Sequence, residues 1–339
     1  MNDIVIANFE KTKEEILVGV DRDSFFENWQ ENETWEVGFL VMKTKANAHS
    51  FDLVDYESSV FWNGQEFIIK QMKDYAVGAQ RFKEVVATHV YYTIQDGYQY
   101  EQMTGTFSIN QCLSHIFSAG NRGFSYEVIN TNGVFSRIEQ ENFGGGNYLK
   151  LIDEVLSDYD AVVIPDNKHL RFYPRSYYGN ETQEQIRYKF NTDEVHFEID
   201  TYSLKTQIRG FGKKKEDDSY YFSPITYTSP ESAKWGVRIQ DPVNDDRFTV
   251  ASSMSARLRR DIHDYPDISG TVNIKWAIDL NRGDKVTFVY EPLNVCQMIQ
   301  VVGLKKYPLV PNKPPEVTLS NNKKTMTNIL ANLRKKGVL

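Results

Sequence analysis

Cysteine is nearly absent: the 339 residues hold only two, Cys112 and Cys296, far apart in sequence. Two such residues cannot staple a small framework or supply a cysteine zinc site. Each sits in an apolar pattern and reads as a small buried hydrophobe. Histidine is scarce too. His49, His89, His115, His169, His196 and His263 are the six, and none pairs with another at i+2 to i+4, so no local zinc motif exists. A metallopeptidase would have to gather its ligands from distant positions. There is no basic excess: the formal charge is −7, which argues against a dedicated nucleic-acid binder that displaces counterions with lysine and arginine. No stretch reaches the roughly 18 apolar residues of a membrane span. The start, MNDIVIANFEKTKEE, lacks a basic segment followed by an apolar run, so no signal peptide is expected there and the chain is expected to fold in the cytoplasm of the cell that makes it.

Aromatic residues, in contrast, are abundant, with 20 Tyr and 20 Phe in the chain. They fit half-buried pleated surfaces and tilt the expectation toward β architecture. They also suit interfaces. A chain of this length can bury two or three cores without staples. Residues 1 to about 104 read as short strands: Ile4-Val5-Ile6, Ile16 to Val20, Thr34 to Met42, and a hairpin in which Asn63-Gly64 joins Val60-Phe61-Trp62 to Glu66 through Ile69. Asn-Gly is favoured there because the turn needs positive φ. Val85 to Thr93 alternates again. Turns at such intervals suggest a barrel or sandwich.

From about 105 to 195 the pattern becomes α/β. Ser108 caps a helix whose apolar stripe is Ile109, Cys112, Leu113, Ile116 and Phe117, ended by Gly120. Phe124 to Ile129 reads as a strand. Gly144-Gly145-Gly146 reads as a mobile loop or tight turn, and Asn147 caps a second helix with Tyr148, Leu151, Ile152, Val155, Leu156 and Tyr159 on its buried face. The glycines match neither a P-loop, since Asn147-Tyr148 follows them, nor the dinucleotide pattern, since Leu149 stands where its third glycine belongs. Ala161 to Ile164 and Leu170 to Tyr173 form a hairpin across Asp166-Asn167. Residues 196–308 return to β character, with a charged tip, Lys213 to Asp218, that reads as solvated. Within this block an arginine-rich helix is expected near 250–263. Its polar end, Arg259, Arg260, Asp261, His263 and Asp264, reads as structural, with His263 near the negative end of the helix dipole. Residues 309–339 make a proline-rich exit and a last helix, about 323–336, with Met326, Ile329, Leu330 and Leu333 on one stripe and Lys323, Lys324, Arg334, Lys335 and Lys336 on the other face. No nucleophile elbow occurs, and Cys112 lies inside an apolar stripe, a poor place for an exposed nucleophile.

The last third has a distinctive order: the helix through Leu258, the Tyr265-Pro266 break, the turn Asn281-Arg282-Gly283-Asp284 before the strand Lys285 to Tyr290, the strand Gln297 to Val302, and the Pro308 to Ser320 exit. This order resembles the prophage endopeptidase tail family, or tail-associated lysins, hub proteins of the phage tail tip. The resemblance implies an α+β, mainly β fold: two tail-tube-like β-barrels, 1–104 and 196–308, with an α/β module at 105–195, the domains being discontinuous. It implies a homotrimer whose ring closes the tail tube, with the distal tail protein, the tape-measure protein and other tail-tip components as partners and DNA only as passing cargo. It implies no cofactor, no metal and no catalytic residue here, because lytic activity in the family belongs to a domain beyond the hub. Met326, Ile329, Leu330 and Leu333 then become candidates for packing on a partner or a neighbouring copy, or on their own core. A cell-wall peptidase or glycosidase and a carbohydrate-binding receptor module are the alternatives.

Overall fold

The computed structural model describes residues 3–130, 133–192, 195–246, 248–276, 279–293 and 295–321. In chain order the first block holds β1 (Val5–Ala7), β2 (Glu14–Ile16), β3 (Phe26–Gln30), β4 (Thr34–Met42), α1 (Ala48–Leu53), β5 (Ser59–Trp62), β6 (Gln65–Val77) and β7 (Gln80–His89). The middle holds β8 (Tyr98–Phe107), α2 (Ile109–Ser118), β9 (Ser125–Val128), β10 (Ile138–Asn147), α3 (Tyr148–Asp158), β11 (Ala161–Asp166), β12 (His169–Pro174) and β13 (Glu181–Arg187). There follow β14 (Val195–Asp200), β15 (Gln207–Phe211), β16 (Ile225–Thr228), α4 (Ser232–Trp235), β17 (Val243–Asn244), α5 (Ala251–Asp261), β18 (Asp267–Asn273), β19 (Lys285–Tyr290), β20 (Val295–Lys306) and β21 (Glu316–Ser320). The class is mainly β with an α/β part, as the composition implies.

Two compact units form. The first comprises Met1–Val195 and Thr271–Leu319; the second comprises His196–Gly270 and Ser320–Asn322. In the first unit the strands run β21-β20-β3-β4-β7-β6-β5-β1-β2 across one sheet, with β19 beside β20 and β13 beside β19. The organising strand is β20. Its first half pairs antiparallel with β19, from Lys285↔Gln300 to Tyr290↔Val295. Its second half pairs with β3, from Gly303↔Gln30 to Lys306↔Glu27. Residues 285–306 are thus stitched into the sheet of the first block. Alternation along β4 buries Trp35, Val37, Phe39 and Val41, and the β6–β7 hairpin adds Phe67, Ile69, Val85 and Ala87.

The α/β block has its own core, with α2, α3 and the β11–β12 hairpin contributing Leu113, Ile116, Leu151, Ile152, Val155, Leu170 and Phe172. The caps are those the residue types dictate. Ser108 and Gln111 form a reciprocal capping box on α2, and the Asn147 side chain accepts from the Lys150 amide at 2.9 Å. Each such cap is worth about 1 kcal/mol. The triple glycine is not a loop. It lies in β10, paired with β8 across a register shift, with Gly144 at φ +128° and Gly145 at φ +62°. A Cβ on Gly144 would meet the Glu101 carbonyl oxygen at 2.1 Å. The glycines therefore serve a bulge and a close backbone approach.

Two turns fasten this block to the sheet. The Asn63-Gly64 turn, with φ of 50° and 77°, meets the turn at Asn167-Lys168. The Glu66 amide donates to Asn167 Oδ1 at 2.8 Å, Asn167 Nδ2 donates to the Gly64 carbonyl at 3.0 Å, and Gln65 Nε2 donates to Asp166 Oδ1 at 3.0 Å. Deeper in, Asn32 Nδ2 donates to the Ala161 carbonyl at 3.2 Å and its Oδ1 accepts from the Val163 amide at 3.2 Å.

Alanine substitution at two of these glycines separates strain from collision. Gly144→Ala meets backbone and should cost about 3 kcal/mol or more. Gly64→Ala meets nothing within 4 Å and should cost only the left-handed strain, about 1–2 kcal/mol. Urea midpoints of the two variants against the parent chain measure the difference.

Candidate functional site

A polar arrangement that joins segments distant in sequence surrounds Trp35. The turn Asn281–Asp284 is built first. Gly283 takes φ +79°, where a Cβ would strike the Tyr178 ring at 2.3 Å, and the buried Asp284 accepts from the Asn281 amide at 2.8 Å. This turn delivers Arg282. Its guanidinium lies 3.7 Å from the Trp35 ring centroid, and its Nη2 donates to Glu27 Oε1 at 2.5 Å. The same oxygen accepts from Trp35 Nε1 at 2.9 Å. A half-buried cation on a tryptophan face contributes about 1–2 kcal/mol. Burial pulls the Arg282 pKa down, opposed by Glu27.

The fully buried His89 is also stacked on Trp35, at 4.0 Å and 12°, and Phe67 stands edge-on to both rings. Its Nδ1 accepts from the Tyr91 amide at 3.2 Å. Nε2 must then carry the proton, and it donates to Gln65 Oε1 at 3.1 Å. That oxygen also accepts from the Asn167 amide at 2.9 Å. Burial, helped by the Arg282 charge, lowers the His89 pKa to about 3. This histidine is neutral and fully engaged, which suits a strut and not an acid–base catalyst.

A second buried charge is Glu31. Arg175 bonds to it through Nη1 and to Asp160 through Nε at 3.2 Å. Burial raises the Glu31 pKa, with Arg175 opposing. In the second unit α5 packs Met254 and Leu258 on Ile208 of β15. Arg257 on its polar side reaches Asp245 and, at 2.8 Å, Asp261. The helix ends at Asp261, with Ile262 as cap, so His263 lies beyond it and pairs with Asp267 at 2.9 Å. The arginine helix is a packing element, as its sequence suggests.

The cysteines divide. Cys112 is buried in α2, 3.4 Å from Tyr159 Oη, and burial raises its thiol pKa. Cys296 is exposed, which corrects the expectation for it: its neighbours Ile299 and Val301 take the inward side of β20, while Met298 is also exposed. Among the described residues no group of three or more His, Cys, Asp or Glu is placed to hold a metal ion, and no helix is long and apolar enough to cross a membrane. Met326, Ile329, Leu330 and Leu333 lie outside the described residues. Reasoning from sequence named Arg282 only as part of a turn and missed its role on Trp35. The one available signal was a cation beside the glycine that makes the turn.

Comparison with known proteins covers most of the chain. Three family models match: the prophage endopeptidase tail N-terminal domain over residues 4–89, the prophage endopeptidase tail domain over 96–172, and the prophage endopeptidase tail over 180–330. No curated protein matches. Among solved structures, a prophage tail protein of Listeria monocytogenes EGD-e is 51% identical, with a TM-score of 0.80 and 98% of each chain covered. A tail protein of Neisseria meningitidis MC58 is 10% identical, with a TM-score of 0.59, covering 95% of this chain and 97% of that one. The 43 kDa tail protein of prophage MuSo2 from Shewanella oneidensis is 12% identical, with a TM-score of 0.57, covering 94% and 97%. The last two share the fold.

Two expectations follow from the buried charges. Unfolded His89 binds a proton below about pH 6.5, whereas the folded one resists it down to about 3. Between these values the unfolded chain holds the extra proton, so acidification costs stability, by about 1.4 kcal/mol per pH unit at the steepest. In His89→Asn the fall in urea midpoint between pH 6 and 4 should be flatter by up to that slope. Arg175→Ala should destabilise by about 3–5 kcal/mol because it strands the buried Glu31, while Glu31→Gln combined with Arg175→Met should recover most of that loss. Denaturation of the three variants at pH 7 measures it.

Proposed function

The chain belongs to the prophage endopeptidase tail family, and on that premise we propose that it is a hub of the phage tail tip, a ring of three copies that closes the tail tube. A structural role in a phage tail comes with the membership. In the proposed assembly the hub scaffolds the distal tail and tape-measure proteins and leaves a passage for DNA. Each copy contributes two barrels of tail-tube type, drawn from about 1–104 and 196–308. The protein is made in the host cytoplasm and ends in the virion tail tip. It works by shape, without bond breaking. Met326, Ile329, Leu330 and Leu333 pack on a neighbouring copy or a tail partner.

The observation that carries this reading is the 51% identity with a prophage tail protein over 98% of both chains. Physical features support it. Among the described residues β2 and β13 each have one strand neighbour in the sheet, and an open edge invites a partner that a closed ring provides. The charge of −7 suits a passage that must not retain a polyanion. Two of the groups that sequence reasoning weighed for catalysis are committed to the core: His89 in its stack and Cys112 within α2 beside Tyr159.

The family description also contains the word endopeptidase, so a peptidase is the second reading. Light scattering on the purified chain should give a particle of three times the chain mass, and mixed with the distal tail and tape-measure proteins a larger one that holds three copies of the chain. A chain that stays monomeric in every mixture overturns the ring. Release of peptides from purified peptidoglycan, lost on a point substitution in this chain, overturns the non-enzymatic reading.

A further inference from the structure

The ribbon of β8 and β10 presents a surface that the hub reading leaves unused. Among the described residues the two strands pair only with each other. Their inner face is committed to the helices: Phe143 is buried, and Met103 and Phe107 pack against the same core. Gln99 is pinned from within, donating to the His115 carbonyl at 2.5 Å and Ser118 Oγ at 2.8 Å. The outer face therefore has a fixed backing.

On that outer face stand Tyr98 and Tyr100, 43% and 79% exposed, with Gln102 and Thr104 following at the same alternation. The two rings are adjacent, with centroids 4.6 Å apart at 46°. Tyr98 Oη donates to the Gly145 carbonyl at 2.8 Å, which sets its orientation. On the partner strand Asn147 lies opposite Tyr98 and Gly144 opposite Gln102, and Tyr100 falls in the irregular step between them. Sheet propensity alone asks only for a β-former at position 100, and threonine serves as well. Tyrosine adds an apolar ring face with a polar tip, held out in water. The charges on the two strands are all carboxylates, Glu101, Glu139 and Glu141, with no lysine or arginine. These carboxylates disfavour an anionic ligand at the tyrosines, and the arginine next to the ribbon, Arg137, is at its other end, on the Thr106 carbonyl.

We propose that this face is a glycan-binding platform for a neutral pyranose chain. The C–H face of one sugar ring lies on Tyr100, the next ring meets Tyr98, and hydroxyls are taken by the Gln102 and Thr104 side chains. The fit is to a flat, uncharged, hydroxyl-rich polymer with apolar ring faces, and not to a phosphodiester or uronate chain. Bound there, such a polymer would give the chain a contact with a polysaccharide surface that does not depend on ring formation.

The test is calorimetric titration of the full chain with cellotetraose, maltotetraose and chitotetraose, and with poly(glycerol phosphate) as the anionic probe. At least one neutral oligomer should bind and poly(glycerol phosphate) should not. Tyr100→Ala should weaken that binding at least about tenfold, and Tyr100→Phe should keep it within about threefold, because the ring face carries the contact. Tyr202→Ala, at another exposed tyrosine, should leave it unchanged. No binding by any neutral oligomer, equal binding by Tyr100→Ala, or preference for poly(glycerol phosphate) overturns the proposal. None of these outcomes bears on the oligomeric mass that tests the hub.

Discussion

Arg282 on the face of Trp35 is the constraint around which the first unit is arranged. The contact joins residues that lie 255 positions apart when counted from Glu27, the carboxylate that both of them share. Strand β20 brings the last third of the chain to β3, but hydrogen bonds between strands do not select a register by themselves. A one-residue slip would keep most ladder bonds and turn every side chain to the wrong face. The guanidinium forbids the slip. It must sit on one ring and meet one carboxylate, and the turn that carries it is shaped by Gly283 and Asp284. On the other side of the ring His89 completes the stack and hands the arrangement to Gln65, whose carbonyl oxygen also receives the Asn167 amide. One aromatic ring thereby couples the first block, the α/β block and the last third.

Local features of this fold were legible in the sequence wherever local physics decides them. The Ser108 and Asn147 caps and the Asn63-Gly64 hairpin stand where residue type and spacing put them, and the turn expected at Asp166-Asn167 falls one residue later, at Asn167-Lys168. The stripes of α2 and α3 are buried as their periodicity requires. Segments of weak or mixed pattern were not legible. The strand β8 alternates tyrosine, glutamine and glutamate, which no apolar period marks, and β10 contains three glycines that read as a loop. Both become strands because they pair with each other over a helical core. The continuation of Val85 to Thr93 as a strand also fails after His89, where Val90–Asp96 winds into a 3₁₀ segment once the His89 side chain accepts from the Tyr91 amide.

Pairings distant in sequence were beyond the reach of pattern. Nothing local says that Lys306 lies opposite Glu27, or that residues 271–319 share a unit with residues 1–195. Such contacts are decided by which faces remain to be covered after local structure has formed, and their closure entropy is large. The same holds for the polar groups. A sequence shows that histidine is rare, but whether His89 is a ligand, an acid or a strut depends on the tautomer its neighbours impose. Here a backbone amide on Nδ1 and an amide oxygen on Nε2 leave neither nitrogen available for chemistry.

The buried ion pairs then need a reason other than net stability, since well-packed apolar residues would serve at least as well on that account. Their value lies in the penalty for error. Glu31 without Arg175 is a buried carboxylate with no compensating charge, and Arg282 without Glu27 is a half-buried cation short of its partner. An apolar substitute would tolerate any apolar neighbour, including one reached by a slipped strand. A charge tolerates only its partner. In a sheet assembled from segments far apart in sequence, with aromatic side chains abundant enough to pack in many ways, this intolerance narrows the compact alternatives to one. That is the property a chain must have if its surface is to present the same edges in every copy, so the ionic clamps inside the first unit and the structural role of the whole are two aspects of one requirement.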